Sequence, residues 1–106
     1  MNEAPNLSYI KELSAGSEEF EEKIIGLLKR EFPEEKNEFL NNYNSSVFKA
    51  AAENVHKLKH KIGMLGFEDG YQTTIAFEEG LLKGEYSLFS KFMLILDSID
   101  EFLKNL

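Results

Sequence analysis

The feature that most restricts the fold of this chain is the helical spacing of its apolar residues. In the C-terminal segment they recur at alternating steps of three and four: Phe89, Phe92, Leu96, Ile99, Leu103 and Leu106. This spacing places them on one face of an α-helix, which has 3.6 residues per turn. Alternation of apolar and polar residues, the pattern of a half-buried β-strand, is nearly absent. We therefore expect an all-α protein.

Similar patterns predict two helices before residue 44. A short first helix carries Leu7, Ile10 and Leu13 and ends at Gly16. A second helix begins after the N-cap residue Ser17, and its apolar positions are Phe20, Ile24, Leu27, Leu28, Phe32, Phe39 and Tyr43. Because these positions continue past Pro33, the proline either kinks one long helix or joins two nearly coaxial helices.

A polar loop over residues 41–46 precedes two further helices. The third helix starts at about Val47 and turns Phe48, Ala51, Val55, Leu58, Ile62 and Leu65 inward. The fourth follows the turn at Gly66, carries Phe67, Tyr71, Ile75 and Leu82, and stops at Gly84. Four more residues fall near the same faces and are core candidates: Tyr9, Phe77, Tyr86 and Met93.

These five helices predict the architecture of the chain. At 106 residues it has the size of one domain. Four substantial amphipathic helices joined by short loops bury their apolar faces together as an antiparallel, up-and-down four-helix bundle. We therefore expect a flexible tail over residues 1–6 and a bundle over residues 7–106, with a short extra helix at its N-terminal end.

Charge and composition exclude several kinds of partner. With 19 acidic and 12 basic residues, the chain has a net charge of −7, which repels nucleic acid and anionic lipid. It has no cysteine, and no stretch approaches the roughly 18 apolar residues of a membrane span or the pattern of a signal peptide. We expect a cytoplasmic protein that binds neither nucleic acid nor membranes.

Both histidines lie on the predicted third helix. His56 projects about 140° away from the centre of the apolar face, and we expect it to face solvent. Its neighbours one turn away on the same face are Ala52, Lys59, His60 and Gly63. A glycine inside a helix costs about 1 kcal/mol relative to alanine, so Gly63 indicates either close approach of a partner or an early end of the helix.

The residues around His56 favour phosphoryl transfer. Lys49 to Lys61 contains four lysines and one glutamate, in a chain that is otherwise acidic. An exposed imidazole is partly neutral at cellular pH and can act as a nucleophile, and an ammonium beside it suits an anionic electrophile. The chain has no glycine-rich phosphate-binding motif of the GxxxxGK[ST] type. We therefore expect no kinase activity, and the phosphoryl group would arrive on another protein.

This segment resembles the phosphoacceptor motif of histidine-containing phosphotransfer (HPt) domains, whose pattern is roughly H-x-L-K-G-x-x-x-x-x-G. The matching residues are His56, Leu58, Lys59 and Gly66, and Gly63 falls where several members carry a small residue. The segment from Leu13 to Phe20 is similar to the family's opening. His60 departs from the pattern, because the family usually has glycine there.

The resemblance implies a role for each of these residues. His56 would be phosphorylated and Lys59 would neutralise the phosphoryl oxygens, while Gly63 and Gly66 would give clearance and end the helix. Lys57 and Lys61 project roughly 100° and 140° from His56, so they would steer an acidic partner without touching the phosphate.

The resemblance also implies partners. Response-regulator receiver domains would donate and accept the phosphoryl group and would supply Mg²⁺, since the chain itself needs no cofactor. The chain would be a monomeric carrier. Whether it stands alone or belongs to a hybrid sensor histidine kinase stays open.

Two other functions are compatible with the same residues. His56 and His60 stand four residues apart, the spacing of two metal ligands on a helix, with Glu53 as a possible third ligand. The flanking lysines would repel a cation. The other alternative is a helical adaptor that docks receiver domains without being phosphorylated.

Overall fold

The fold, taken from a computed structural model, is described for residues 3–106 and is all-α, as the sequence predicts. Its five helices are α1 (Ser8–Ser14), α2 (Glu18–Asn44), α3 (Phe48–Met64), α4 (Glu68–Lys83) and α5 (Phe89–Lys104). No β-strand occurs between residues 3 and 106. Residues 1 and 2 of the predicted tail lie outside the described residues.

α2 is one continuous helix that runs through Pro33. Its N-terminus is capped by Ser17, whose Oγ accepts a hydrogen bond from the backbone N–H of Phe20 at 3.2 Å. Acidic residues in the first turn complement the positive end of the helix dipole. Proline removes one backbone N–H from the helical ladder, yet the burial of Phe32 and Phe39 on either side holds both halves against the core. Of the two alternatives, the single long helix is correct.

Helices α2 to α5 pack around a shared core. α2 and α4 each contact both α3 and α5, and α1 contacts α2. The centre is aromatic: the ring of Phe39 lies 5.9 Å from that of Phe77 and 5.2 Å from that of Phe92, both edge-on. Edge-on pairs at this spacing are favourable because the ring edge is positive and the face negative. One core therefore connects α2, α4 and α5.

Several apolar residues that the sequence placed in the core are exposed: Tyr9, Leu13, Phe20, Leu27, Leu82, Tyr86 and Leu106. α2 has 27 residues and α3 has 17, so at a rise of about 1.5 Å per residue α2 extends well past its neighbour. Its first turns are flanked by α1, and the exposed residues there have no helix on their outer side. The other three lie at or beyond helix ends. These core predictions were wrong because periodicity shows which face of a helix is apolar. It does not show along how much of its length that face packs against another helix.

Residues 3–6 belong to the segment for which the sequence predicts a flexible tail, and they contact the α3–α4 loop. The backbone N–H of Asn6 donates to the carbonyl of Leu65 at 2.7 Å. The Glu3 carboxylate accepts from the backbone N–H of Asp69 at 2.6 Å, at the start of α4. These contacts lie at the end of α3 that follows the two histidines.

A partly buried cation joins α2 to α5. The Lys36 ammonium lies 3.0 Å from a carboxylate oxygen of Asp97 and also binds Asp100. Burial alone would lower the pKa of Lys36, but hydrogen bonds and charge from Asp100 and Asp97 outweigh burial and raise that pKa above its ordinary value. Lys36 therefore stays charged at neutral pH.

Within residues 3–106, no helix combines the length and the apolar character that crossing a membrane requires.

Two helical glycines predict opposite responses to alanine. A Cβ on Gly26 would meet no atom within 4 Å, whereas a Cβ on Gly80 would lie 2.8 Å from the backbone oxygen of Glu85. Gly26→Ala should raise the free energy of unfolding by about 1 kcal/mol, since alanine is the better helix former. Gly80→Ala should lower it by about 1 to 2 kcal/mol because the α4–α5 turn must shift. Urea unfolding followed by circular dichroism measures both, and equal effects would contradict this packing.

Candidate functional site

The exposure of His56 follows from the residues that α3 buries. Val55 and Leu58, on either side of it in sequence, are fully buried in the core. Because successive residues are rotated by 100°, burial of this face turns His56 outward, and 52% of its side chain is exposed. The imidazole therefore lies on the surface, at the seam between α3 and α4.

Glu78 of α4 and Lys59 of α3 both reach the same nitrogen of His56. Nδ1 lies 3.1 Å from Oε2 of Glu78 and 3.3 Å from Nζ of Lys59. The Lys59 ammonium also lies 3.4 Å from Oε1 of Glu78. We call these three residues the His56 cluster. It joins an imidazole, a carboxylate and an ammonium across two helices.

These contacts select one form of the neutral imidazole. An ionised carboxylate only accepts hydrogen bonds, so the shorter contact, from Nδ1 to Glu78, favours the neutral form with the proton on that nitrogen. The Lys59 ammonium only donates, and it has Glu78 as an acceptor. With the proton on Nδ1, Nε2 carries the lone pair. Within residues 3–106 no group hydrogen-bonds Nε2, so the cluster presents an exposed, nucleophilic nitrogen.

Glu78 was not predicted as a site residue, although the sequence carries one signal for it. The predicted apolar face of α4 includes Ile75 and Leu82, and residue 78 falls on that face at steps of three and four. A carboxylate at such a position is costly unless it is paired. The pairing could not be predicted, because its partners lie 22 and 19 residues away on another helix.

His60 lies next to the cluster. Its side chain is exposed on α3, and its ring centroid is 5.1 Å from that of His56, with the two planes nearly perpendicular at 88°. No hydrogen bond or ion pair joins His60 to any residue between 3 and 106. Its imidazole is therefore free to bind a ligand at the surface.

Lys61 is paired within the protein, which conflicts with its predicted role of steering an acidic partner. Its ammonium lies 3.1 Å from Glu31 and 3.2 Å from Oε1 of Glu35, both on α2, and only 13% of the side chain is exposed. Burial would lower the pKa of Lys61, but hydrogen bonds and charge from Glu35 and Glu31 outweigh it and raise the pKa. Its charge is thus used inside the chain and cannot steer a partner. Lys57 is exposed and forms no ion pair with any described residue.

The small residues predicted to give clearance have different surroundings. Ala52 is 4% exposed. A Cβ on Gly63 would lie 3.2 Å from the ring of Tyr71, so this glycine makes room for α4 of the same chain. Gly66 follows the end of α3 with φ of 68°, and a Cβ there would clash with the side chain of Asn6. Close approach at both glycines comes from within the protein.

A shallow cavity of about 410 Å³ lies beside the His56 cluster, between α3 and α4. Its lining consists of His56, Glu78, Ala52, Leu82, Lys49, Glu53 and Lys57. Leu82, at the C-terminal end of α4, is 64% exposed and lines this cavity. The cavity therefore joins an apolar surface to the nucleophilic imidazole.

The His56–His60 metal site is disfavoured by this geometry. Among residues 3–106, no group of three or more His, Cys, Asp or Glu side chains is arranged to hold a metal ion. The Lys59 ammonium lies beside Nδ1 of His56 and would repel a cation.

No family model matches the sequence, and no curated protein or solved structure is significantly similar to it. The resemblance to HPt domains therefore rests on the residues of the motif themselves.

The ion pairs of Lys61 predict a large loss of stability when its charge is removed. Lys61→Met leaves the largely buried Glu35 carboxylate without its cation, so we expect the free energy of unfolding at neutral pH to fall by about 2 kcal/mol. Lys57→Met, on the same helix but exposed, should change it by less than about 0.5 kcal/mol.

The pH dependence gives a second readout of the same contact. Because the pKa of Lys61 is raised on folding, its contribution is fully present below the ordinary value of 10.5 and is lost as pH rises through the folded value. The difference between wild type and Lys61→Met should therefore shrink in alkaline solution. A loss of stability equal to that of Lys57→Met would contradict the assignment.

Proposed function

We propose that this protein is a phosphorelay carrier of the HPt type, which accepts a phosphoryl group on Nε2 of His56 from a receiver-domain phosphoaspartate and passes it to another receiver aspartate. The observation that supports this most is the contact of Nδ1 with Glu78 at 3.1 Å on an exposed ring. It leaves the other ring nitrogen unprotonated and accessible. A cytoplasmic location and a monomeric state are parts of the same proposal.

The proposal includes the finer topology, an antiparallel up-and-down four-helix bundle with α1 as an extra helix. Contacts between α2 and α3 support it, because Asn42 bonds to Asn54 while Glu35 bonds to Lys61. The residue numbers of the contact partners thus rise along α3 while they fall along α2, which is the order expected for two antiparallel helices.

In the proposed reaction, the Nε2 lone pair attacks the phosphorus of the acyl phosphate. A nitrogen–phosphorus bond forms, the phosphorus–oxygen bond to the aspartate breaks, and the carboxylate leaves with the electron pair. The imidazole becomes positive as the bond forms and keeps its Nδ1 proton, which faces Glu78. A fixed carboxylate at that position stabilises the developing charge. The second transfer reverses these bond changes, and the receiver supplies the magnesium ion.

Lys59 is proposed to neutralise phosphoryl oxygens. Its ammonium lies within reach of the imidazole, and only 15% of its side chain is exposed, so it is held close to the ring. Its present acceptor is Glu78. In the phosphorylated protein it would share its donors between the carboxylate and the phosphoryl group.

The cavity beside His56 is proposed to receive the receiver domain. Apolar surface that becomes buried on docking contributes about 25 cal/mol per Å², and exposed Leu82 offers such surface next to the nucleophile. Lys49 and Lys57 line the same cavity and form no ion pair with any residue in 3–106. They are suited to steering an acidic partner. An adaptor that binds receivers without phosphorylation would use this cavity too, and the phosphorylation test separates the two functions.

The first test is phosphorylation by a small donor. Incubation of the purified protein with phosphoramidate should give one acid-labile, base-stable phosphate that maps to His56. His56→Gln should abolish it without loss of helical circular dichroism, because the side chain is exposed. The matched change His60→Gln should still accept phosphate on His56. Phosphate on His60, or none on a folded wild-type protein, would contradict the proposal.

The docking surface predicts a difference between two equally exposed leucines. Leu82 lines the cavity at 64% exposure, and Leu94 lies on α5 at 66% exposure. In transfer from purified, acetyl-phosphate-activated receiver domains, Leu82→Ala should slow the reaction about tenfold, the loss of about 1.4 kcal/mol of docking energy. Leu94→Ala should leave it unchanged. Equal rates for both variants would contradict docking at this cavity.

A further inference from the structure

The charge balance of the His56 cluster identifies a missing component. In the unphosphorylated protein, the Lys59 ammonium is matched by the Glu78 carboxylate, which lies 3.4 Å away. A phosphoryl group on His56 would bring up to about two further negative charges at neutral pH. The cluster alone has no unmatched cation to balance them. An additional positive charge on a neighbouring side chain would therefore stabilise the phosphorylated form.

His60 is the neighbour that can gain this charge. Its ring centroid lies 5.1 Å from that of His56, near enough for a phosphoryl group on the free edge of one ring to reach a nitrogen of the other. The ring planes are nearly perpendicular, at 88°, so the edge of one imidazole faces the other ring. His60 is exposed and has no hydrogen-bond partner among residues 3–106. Both of its nitrogens are therefore free to bind.

We propose that His60 takes up a proton when His56 is phosphorylated and donates a hydrogen bond to a phosphoryl oxygen, so that retention of the phosphoryl group by this carrier depends on pH. This proposal rests on the proposed function and adds a pH-dependent role for a second residue of the same site. It also gives a role to the one residue that departs from the resemblance, since the glycine usual at that position could not be protonated.

The surroundings of His60 make the proton uptake conditional on phosphorylation. On α3, Lys57 and Lys59 lie near it and oppose a further positive charge. From α4, Glu78 is matched by Lys59, and Tyr71 packs against Gly63. On the α2 side, Glu31 and Glu35 share the single ammonium of Lys61. Among residues 3–106 no carboxylate forms an ion pair with His60, whereas a phosphoryl group on His56 would offer it an anionic partner.

The sign of the pH effect follows from linkage. If phosphorylation favours the protonated form of His60, protonation of His60 equally favours the phosphorylated protein. The stabilisation of phosphorylated His56 by His60 is fully present at a pH where His60 is protonated both before and after phosphorylation. It is lost as pH rises through the value at which His60 of the phosphorylated protein releases its proton.

The test follows His60 by NMR in the full chain before and after phosphorylation with phosphoramidate. The midpoint of the His60 titration should move upward by about half a pH unit or more, the size expected for an exposed ion pair. An unchanged midpoint in a protein phosphorylated on His56 would overturn the inference while leaving the proposed function intact. Absence of phosphate on His56 would overturn both.

A kinetic measurement on matched variants gives an independent readout. After removal of the donor, His60→Gln should lose phosphate about threefold faster than wild type near pH 6.5, with the ratio approaching one at about pH 8.5. His60→Lys, which stays charged, should keep slow loss across the range. Lys104→Gln, at the end of α5, removes one positive charge elsewhere and should match wild type. A ratio that is the same at every pH would contradict proton uptake by His60.

Discussion

The contact between His56 and Glu78 depends on how α3 packs against α4. Neither side chain is fixed by its own helix alone, because 22 residues separate them. Their meeting is set by the buried residues beside them: Val55 and Leu58 fix the rotation of α3, and Phe77 fixes that of α4. A rotation of either helix would break the contact and expose core residues at the same time. Core packing thus brings the Glu78 carboxylate to Nδ1 of His56.

Lysines on α3 have three different surroundings within a few residues. Lys59 pairs with Glu78 of α4, and Lys61 pairs with Glu31 and Glu35 of α2. Lys57 is exposed to solvent. Of the four lysines between residues 49 and 61, two, Lys59 and Lys61, are therefore paired with carboxylates in the folded protein. The charge left to attract a partner comes from fewer residues than composition suggests, and those residues line the cavity beside His56.

The sequence predicted those features that depend on one helix at a time. Five helices, the N-cap at Ser17 and the outward position of His56 follow from periodicity and local chemistry. Features that depend on how two helices pack against each other were not predicted. Glu78 as the partner of His56, and Tyr71 as the reason for Gly63, require knowledge of the register between α3 and α4. The exposure of Leu82 was missed for a related reason, since periodicity does not say where a covering helix ends.

The most direct measurement of the central claim is the assignment of the phosphorylated nitrogen. In ¹⁵N-labelled protein treated with phosphoramidate, long-range proton–nitrogen correlations and nitrogen–phosphorus coupling distinguish the four ring nitrogens of the two histidines. We predict phosphorus on Nε2 of His56, with the proton retained on the Nδ1 that faces Glu78. Phosphorus on Nδ1 of His56, or on either nitrogen of His60, would contradict the account.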